Sequence, residues 1–84
     1  MTNYQAQILV SLRPSVLDPA GEAVRSAAQR LGVDGIQKLR IGKSIEIEIS
    51  APDEIEAKRR LEVLGERLLS NPVIEDWKLN FQEN

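Results

Sequence analysis

The sequence predicts an α+β fold, a βαββαβ sandwich in which a four-stranded, mostly antiparallel sheet carries two helices on one face. Three observations predict it. Apolar residues alternate with polar ones over several short stretches, which is the period of a half-buried strand. Between those stretches lie two segments with apolar residues at helical spacing, each opened by an Asp and a Pro. The two halves also echo each other: Ile36-x-x-Leu39-x-Ile41 has the apolar spacing of Ile74-x-x-Trp77-x-Leu79. Such an echo is the split βαβ duplication of ferredoxin-like folds.

The first strand is Tyr4 to Arg13. Tyr4, Ala6, Ile8, Val10 and Leu12 share one face, with Gln5, Gln7, Leu9, Ser11 and Arg13 on the other. Pro14, which has no N–H, stops the ladder. Asp18-Pro19 opens the first helix, because an Asp side chain accepts orphan N–H groups and Pro suits the first helical position. Ala20, Ala23, Val24, Ala27 and Leu31 follow as a narrow apolar stripe, and Gly32 supplies a left-handed cap. A second strand, about Ile36 to Ile41, turns at Gly42-Lys43 into a third. There Ile45, Ile47 and Ile49 alternate with Glu46 and Glu48.

Pro52 and Asp53 open the second helix, with Asp53 and Glu56 spaced for a capping box. Its core stripe is Ala57, Leu61, Leu64 and Leu68. Asn71-Pro72 breaks it, and a fourth strand runs from about Val73 to Phe81 with Trp77, Leu79 and Phe81 on one face. The other sheet face then carries Gln5, Gln7, Leu9, Ser11, Glu46, Glu48, Asp76 and Lys78. Such a mixed face can meet water, a second copy or a larger partner.

Composition narrows the function. The 84 residues make a single domain, 1–84, with 42% hydrophobic and 29% charged side chains, ordinary for a globular protein. The absence of Cys excludes disulfides, thiolate zinc sites and a Cys nucleophile, and the absence of His removes the commonest general base. The net charge of −2 disfavours nucleic acid as a partner. The longest apolar run, Ile8-Leu9-Val10, is too short to span a membrane. No secretory signal opens the chain, and together with the missing Cys this places it in the cytoplasm.

No catalytic constellation emerges. The serines have no His to activate them, and Lys43-Ser44 are strand neighbours that point to opposite faces. Glu46 and Glu48 read as a solvent-facing alternation. The glycines are scattered, so no phosphate-binding loop forms. Two features remain: Arg40-Ile41-Gly42-Lys43, with two cations around a tight turn, and Asn71-Pro72-Val73-Ile74-Glu75-Asp76-Trp77, which ends in a residue type common at interfaces.

Those segments carry a family resemblance. Val16-Leu17-Asp18-Pro19-Ala20-Gly21-Glu22-Ala23-Val24 resembles the "LDPxGxAV" stretch of the PurS family, the small subunit of phosphoribosylformylglycinamidine synthase. Leu31-Gly32-Val33-Asp34-Gly35-Ile36 and Arg40-Ile41-Gly42-Lys43-Ser44-Ile45-Glu46 are similar to its "LGxxGV…RIGKxIE". Leu68-Leu69-Ser70-Asn71-Pro72-Val73-Ile74-Glu75-Asp76-Trp77 is similar to its "LLxNPVIEDW/Y". The resemblance runs in order over nearly the whole chain. It implies a non-catalytic adaptor of purine biosynthesis, working with a glutaminase (PurQ-type) subunit and an ATP-dependent synthetase (PurL-type) subunit. Ammonia released from glutamine is then delivered to formylglycinamide ribonucleotide, with ATP and Mg on the synthetase and no cofactor or metal on this chain. The resemblance also implies a homodimer or homotetramer assembled through the sheets. It points to Arg40, Gly42, Lys43, Asn71 and Glu75 as partner-binding residues: Gly42 permitting the turn, Arg40 and Lys43 presenting charge, Asn71 capping the second helix.

Two other classes use small βαββαβ domains. An amino-acid sensor of ACT type places a Gly-rich turn after the first strand, whereas this connection, Pro14-Ser15-Val16-Leu17-Asp18, has no Gly. An acylphosphatase-type enzyme needs an Arg in a loop rich in backbone donors, and Arg13 is followed by Pro14, which supplies none.

Overall fold

β1 (Thr2–Leu12) is the centre of a sheet with β2 (Lys43–Ala51) antiparallel on one side and β3 (Glu75–Glu83) antiparallel on the other. The computed structural model describes residues 1–83. The predicted alternation sets the register. Ile8 lies between Ile45 and Leu79, and Ala6 between Ile47 and Phe81, so apolar rows cross all three strands. Tyr4, Ala6, Ile8 and Val10 are buried, joined by Ala51 at the end of β2. The opposite face carries the predicted mixed set: Gln5 pairs with Glu48 and Gln82, and Gln7 with Glu46 and Asn80.

One helix covers the apolar face. In α2 (Glu54–Leu64) Asp53 caps the start by accepting the Glu56 N–H at 2.8 Å. The reciprocal half of the capping box is absent, because the Glu56 carboxylate binds Arg59 and Arg60 instead. Only Ala57 and Leu61 of α2 are buried. The helix then widens into a π turn, Gly65–Leu69, closed by the Ser70 hydroxyl donating to the Gly65 carbonyl at 2.6 Å. A π turn takes more residues per revolution than an α turn, so the predicted stripe fails at its last member. Gly65 faces inward and is buried, while Leu68 is 72% exposed.

The bonds from Arg59, and then from Arg60, hold the Glu56 carboxyl down from its ordinary 4.5 to about 2. A depressed carboxylate stabilises the fold above its unfolded value and loses that contribution as pH falls through the folded one. The thermal midpoint of Glu56→Gln is therefore expected to lie below the parent's at neutral pH. The two curves should converge between pH 4.5 and about pH 2. The cluster faces solvent, so the gap is small. A constant gap down to pH 2 would show that the pair does not act through charge.

The structure corrects the four-stranded expectation. The sheet has three strands, and the segment Ile36 to Ile41 joins no ladder; residues 33–42 are irregular and no hairpin forms at Gly42-Lys43. Both edges of β1 are already taken, and the segment folds back on the connection that precedes it instead of reaching an outer edge. The expectation of two helices on one face is corrected with it. α1 (Pro19–Arg30) forms where Asp18-Pro19 predicts, and Gly32 after it has φ of +89°, but α2 and its π turn are the helical elements packed on the strands. Along the predicted α1 stripe Val24 is 46% and Leu31 84% exposed. Residues 13–42 thus make an arm beyond the end of the sheet. The chain measures 51 × 27 × 14 Å with a radius of gyration of 16.5 Å, against about 12 Å for a compact domain of this length.

Candidate functional site

The antiparallel order brings the end of β1, the start of β2 and the turn before β3 to one end of the sheet. All five residues singled out in the sequence lie there. Lys43 opens β2, and its Nζ is 3.9 Å from the Glu75 carboxylate. Glu75 opens β3 and accepts the Asn71 N–H at 2.7 Å, while the Asn71 carboxamide oxygen accepts the Val73 N–H at 3.0 Å. Asn71 therefore closes the turn into β3 and does not cap α2; the Ser70 hydroxyl serves the end of the helix. Gly42 makes no hairpin: a Cβ there would stand 2.6 Å from the Val10 carbonyl oxygen, so glycine is required by the close approach to β1.

Arg40 points back into its own chain. Its guanidinium donates to the Arg13 carbonyl at 2.8 Å and, more weakly, to the Leu12 carbonyl at 3.5 Å. Arg40 thus sits with Lys43 at the same sheet end, but its donors are turned to backbone. Of the two cations, Lys43 is the exposed one, with 61% of its side chain open.

Two residues outside the predicted partner-binding set complete this end. Arg13, considered only as an anion ligand, is a strut: its N–H donates to the Ile74 carbonyl, its guanidinium to the Pro72 carbonyl, and its Nε lies 3.3 Å from Asp76. Asp18 is a buried carboxylate at the root of the 13–42 segment, 5% exposed. One of its oxygens caps α1 through the Gly21 N–H at 2.9 Å and the other accepts the Ile41 N–H at 2.8 Å. The Ile41 bond, then the Gly21 bond, hold its carboxyl below the ordinary range, with the Arg40 charge adding to the effect. The cap was legible in Asp18-Pro19; the second acceptor was not.

A groove of about 500 Å³ runs over Leu9, Ser11, Gly42, Lys43, Trp77 and Lys78 beside this cluster. A second hollow, about 490 Å³, lies over Gln5, Gln7, Glu46, Glu48, Asn80 and Gln82 on the open face. Among the described residues no three acidic side chains gather closely enough to hold a metal ion. No described helix is long and apolar enough to cross a membrane. What the site offers is charge, amides and a shallow open surface, which suit binding to another macromolecule.

Known proteins match this chain along most of its length. The family model for PurS, phosphoribosylformylglycinamidine (FGAM) synthase, matches residues 5–83. The phosphoribosylformylglycinamidine synthase subunit PurS of Synechocystis sp. is 52% identical over 75 residues, covering 89% of this chain and 75% of that one. Among solved structures, Bacillus subtilis PurS superposes with a TM-score of 0.82 at 36% identity, covering 95% of this chain and 99% of that one. A chain of PurLQS from Thermotoga maritima superposes with a TM-score of 0.89 at 32% identity, covering 96% and 99%.

Proposed function

Because the chain belongs to the PurS family of FGAM synthase subunits, we propose that it is the adaptor of that enzyme, without an active site of its own. In this reading it bridges a PurQ-type glutaminase and a PurL-type, ATP-dependent synthetase in the cytoplasm, so that ammonia from glutamine reaches formylglycinamide ribonucleotide. ATP and Mg belong to the synthetase. The observation that carries the reading is the likeness to a chain of PurLQS over nearly the whole length of both. The shape supports it as well: an arm and an open sheet face suit a bridge better than a pocket enzyme. Self-association as a dimer or tetramer through the sheets belongs to the same reading, supported by the face of Gln5, Gln7, Glu46 and Glu48 that no described helix covers.

The test is reconstitution with the two partner subunits, following amidine formation from glutamine and, separately, from added ammonia. Glutamine-driven turnover is expected to need this chain, and ammonia-driven turnover to depend on it far less. Glutamine-driven turnover at the same rate without the chain refutes the adaptor reading.

Arg40, Gly42, Lys43, Asn71 and Glu75 are the proposed partner-binding set, and Lys43 is its cleanest probe. Lys43 has 61% of its side chain open and Glu75 only 15%, and the pair is loose at 3.9 Å, so neutralising the lysine removes about 1 kcal/mol or less. Lys43→Gln is therefore expected to leave the thermal midpoint within a few degrees while weakening capture of the partner subunits. Unchanged capture would remove Lys43 from the interface.

A further inference from the structure

The arm leaves the sheet through a neck whose apolar residues are only partly covered, Leu12, Val16 and Leu39 being half-buried. Leu17 is 74% and Ile41 43% exposed there, and α1 has no contact with the strands comparable to that of α2. The hydrogen bonds across the neck come from two charged side chains. Asp18 joins the outgoing chain, through the Gly21 N–H, to the returning chain, through the Ile41 N–H, 23 residues away. Arg40, next to Ile41, ties the returning chain to the Arg13 carbonyl just past β1 and, more weakly, to the Leu12 carbonyl at its end. Gly21 lets the two halves close, since a Cβ there would stand 2.3 Å from the Leu39 carbonyl oxygen. A helix cap needs one acceptor oxygen. The second oxygen of a buried carboxylate, spent on a distant backbone N–H, answers a different requirement.

We propose that Asp18, with Arg40 as its counterpart on the returning chain, is a positioning residue: it fixes the direction of the 13–42 arm relative to the sheet so that the chain meets its partner subunits in one pose. This rests on the adaptor reading. Flexible binders lose affinity to ordering costs, and a preset arm avoids them. Loss of the clamp therefore weakens assembly and leaves the sheet intact.

The experiment separates cap from clamp. Asp18→Ser keeps a good helix cap, but its single oxygen cannot also serve Ile41. Two readouts are needed: amide hydrogen exchange on the free chain, and titration of the chain into the partner subunits with glutamine-driven amidine formation as signal. Ile41 exchange is expected to accelerate by about tenfold or more, the loss of a hydrogen bond to a charged acceptor. Gly21 and the amides of β1 should keep their protection. The concentration of chain giving half-maximal turnover should rise by a similar factor, with turnover at saturation unchanged. Unaltered Ile41 exchange overturns the clamp, and faster exchange with an unmoved half-saturation point overturns its positioning role. A parent chain that has no effect on turnover instead sinks the adaptor reading, and the positioning role with it, while Ile41 exchange still decides whether the clamp exists.

Discussion

Leu61→Ala is expected to destabilise the domain by about 3 kcal/mol. Leu61 is fully buried and is the one large side chain that α2 places in the core, the other buried residue being Ala57. Truncating a buried leucine loses both transfer free energy and the contacts of the cavity left behind, about 2–5 kcal/mol in all. A small domain holds roughly 0.05–0.15 kcal/mol per residue, so this one change removes a large part of its stability. The thermal midpoint should fall by about 12–24 °C, at roughly 4–8 °C per kcal/mol for a chain of this size. Ile55→Ala on the same helix is the control: Ile55 is 81% exposed and its loss should change stability by less than about 0.5 kcal/mol. Calorimetric melts of the two variants decide the matter. Equal shifts would mean that α2 does not dock through Leu61.

Much of this fold was legible because its signals are local. The alternation of Tyr4, Ala6, Ile8 and Val10 gives the buried face of β1 without knowledge of its neighbours, and Asp18 and Asp53 announce their helices by chemistry confined to one turn. The failures share a cause. Ile36, Leu39 and Ile41 have strand-like spacing, but the Ile41 N–H goes to Asp18 and the Leu39 carbonyl lies against Gly21, so the segment pairs with neither outer edge of the sheet. The α1 stripe is amphipathic whatever covers it, so its pattern says nothing about whether the helix lies on this sheet. Leu68 misleads because the period changes at the π turn, which the helical count cannot anticipate. The site was legible in the same measure. Lys43, Asn71 and Glu75 do meet, whereas the inward turn of Arg40 and the second oxygen of Asp18 depend on partners far away in sequence.

Gly65→Ala sets two effects of opposite sign against each other, and sterics are expected to win. Gly65 has φ of −61°, ordinary helical backbone that any residue adopts. By propensity alone, Ala there should stabilise by about 1 kcal/mol. What selects glycine is space. A Cβ would stand 2.7, 2.8 and 3.0 Å from three atoms of the Trp77 ring. The ring cannot retreat cheaply, because its N–H donates to Glu66, the next residue of the same π turn, at 3.0 Å. Overpacking of this kind costs about 1–3 kcal/mol, so after the propensity gain the net effect is a destabilisation of up to about 2 kcal/mol and a shift in the fluorescence of the single tryptophan. A double-mutant cycle with Trp77→Phe isolates the cause, since neighbours in contact couple by about 0.5–3 kcal/mol. With the indole replaced by the smaller ring, much of the destabilisation should disappear. A more stable Gly65→Ala chain would mean that Trp77 can move off the turn, and that the π turn persists for some reason other than the packing of its first residue.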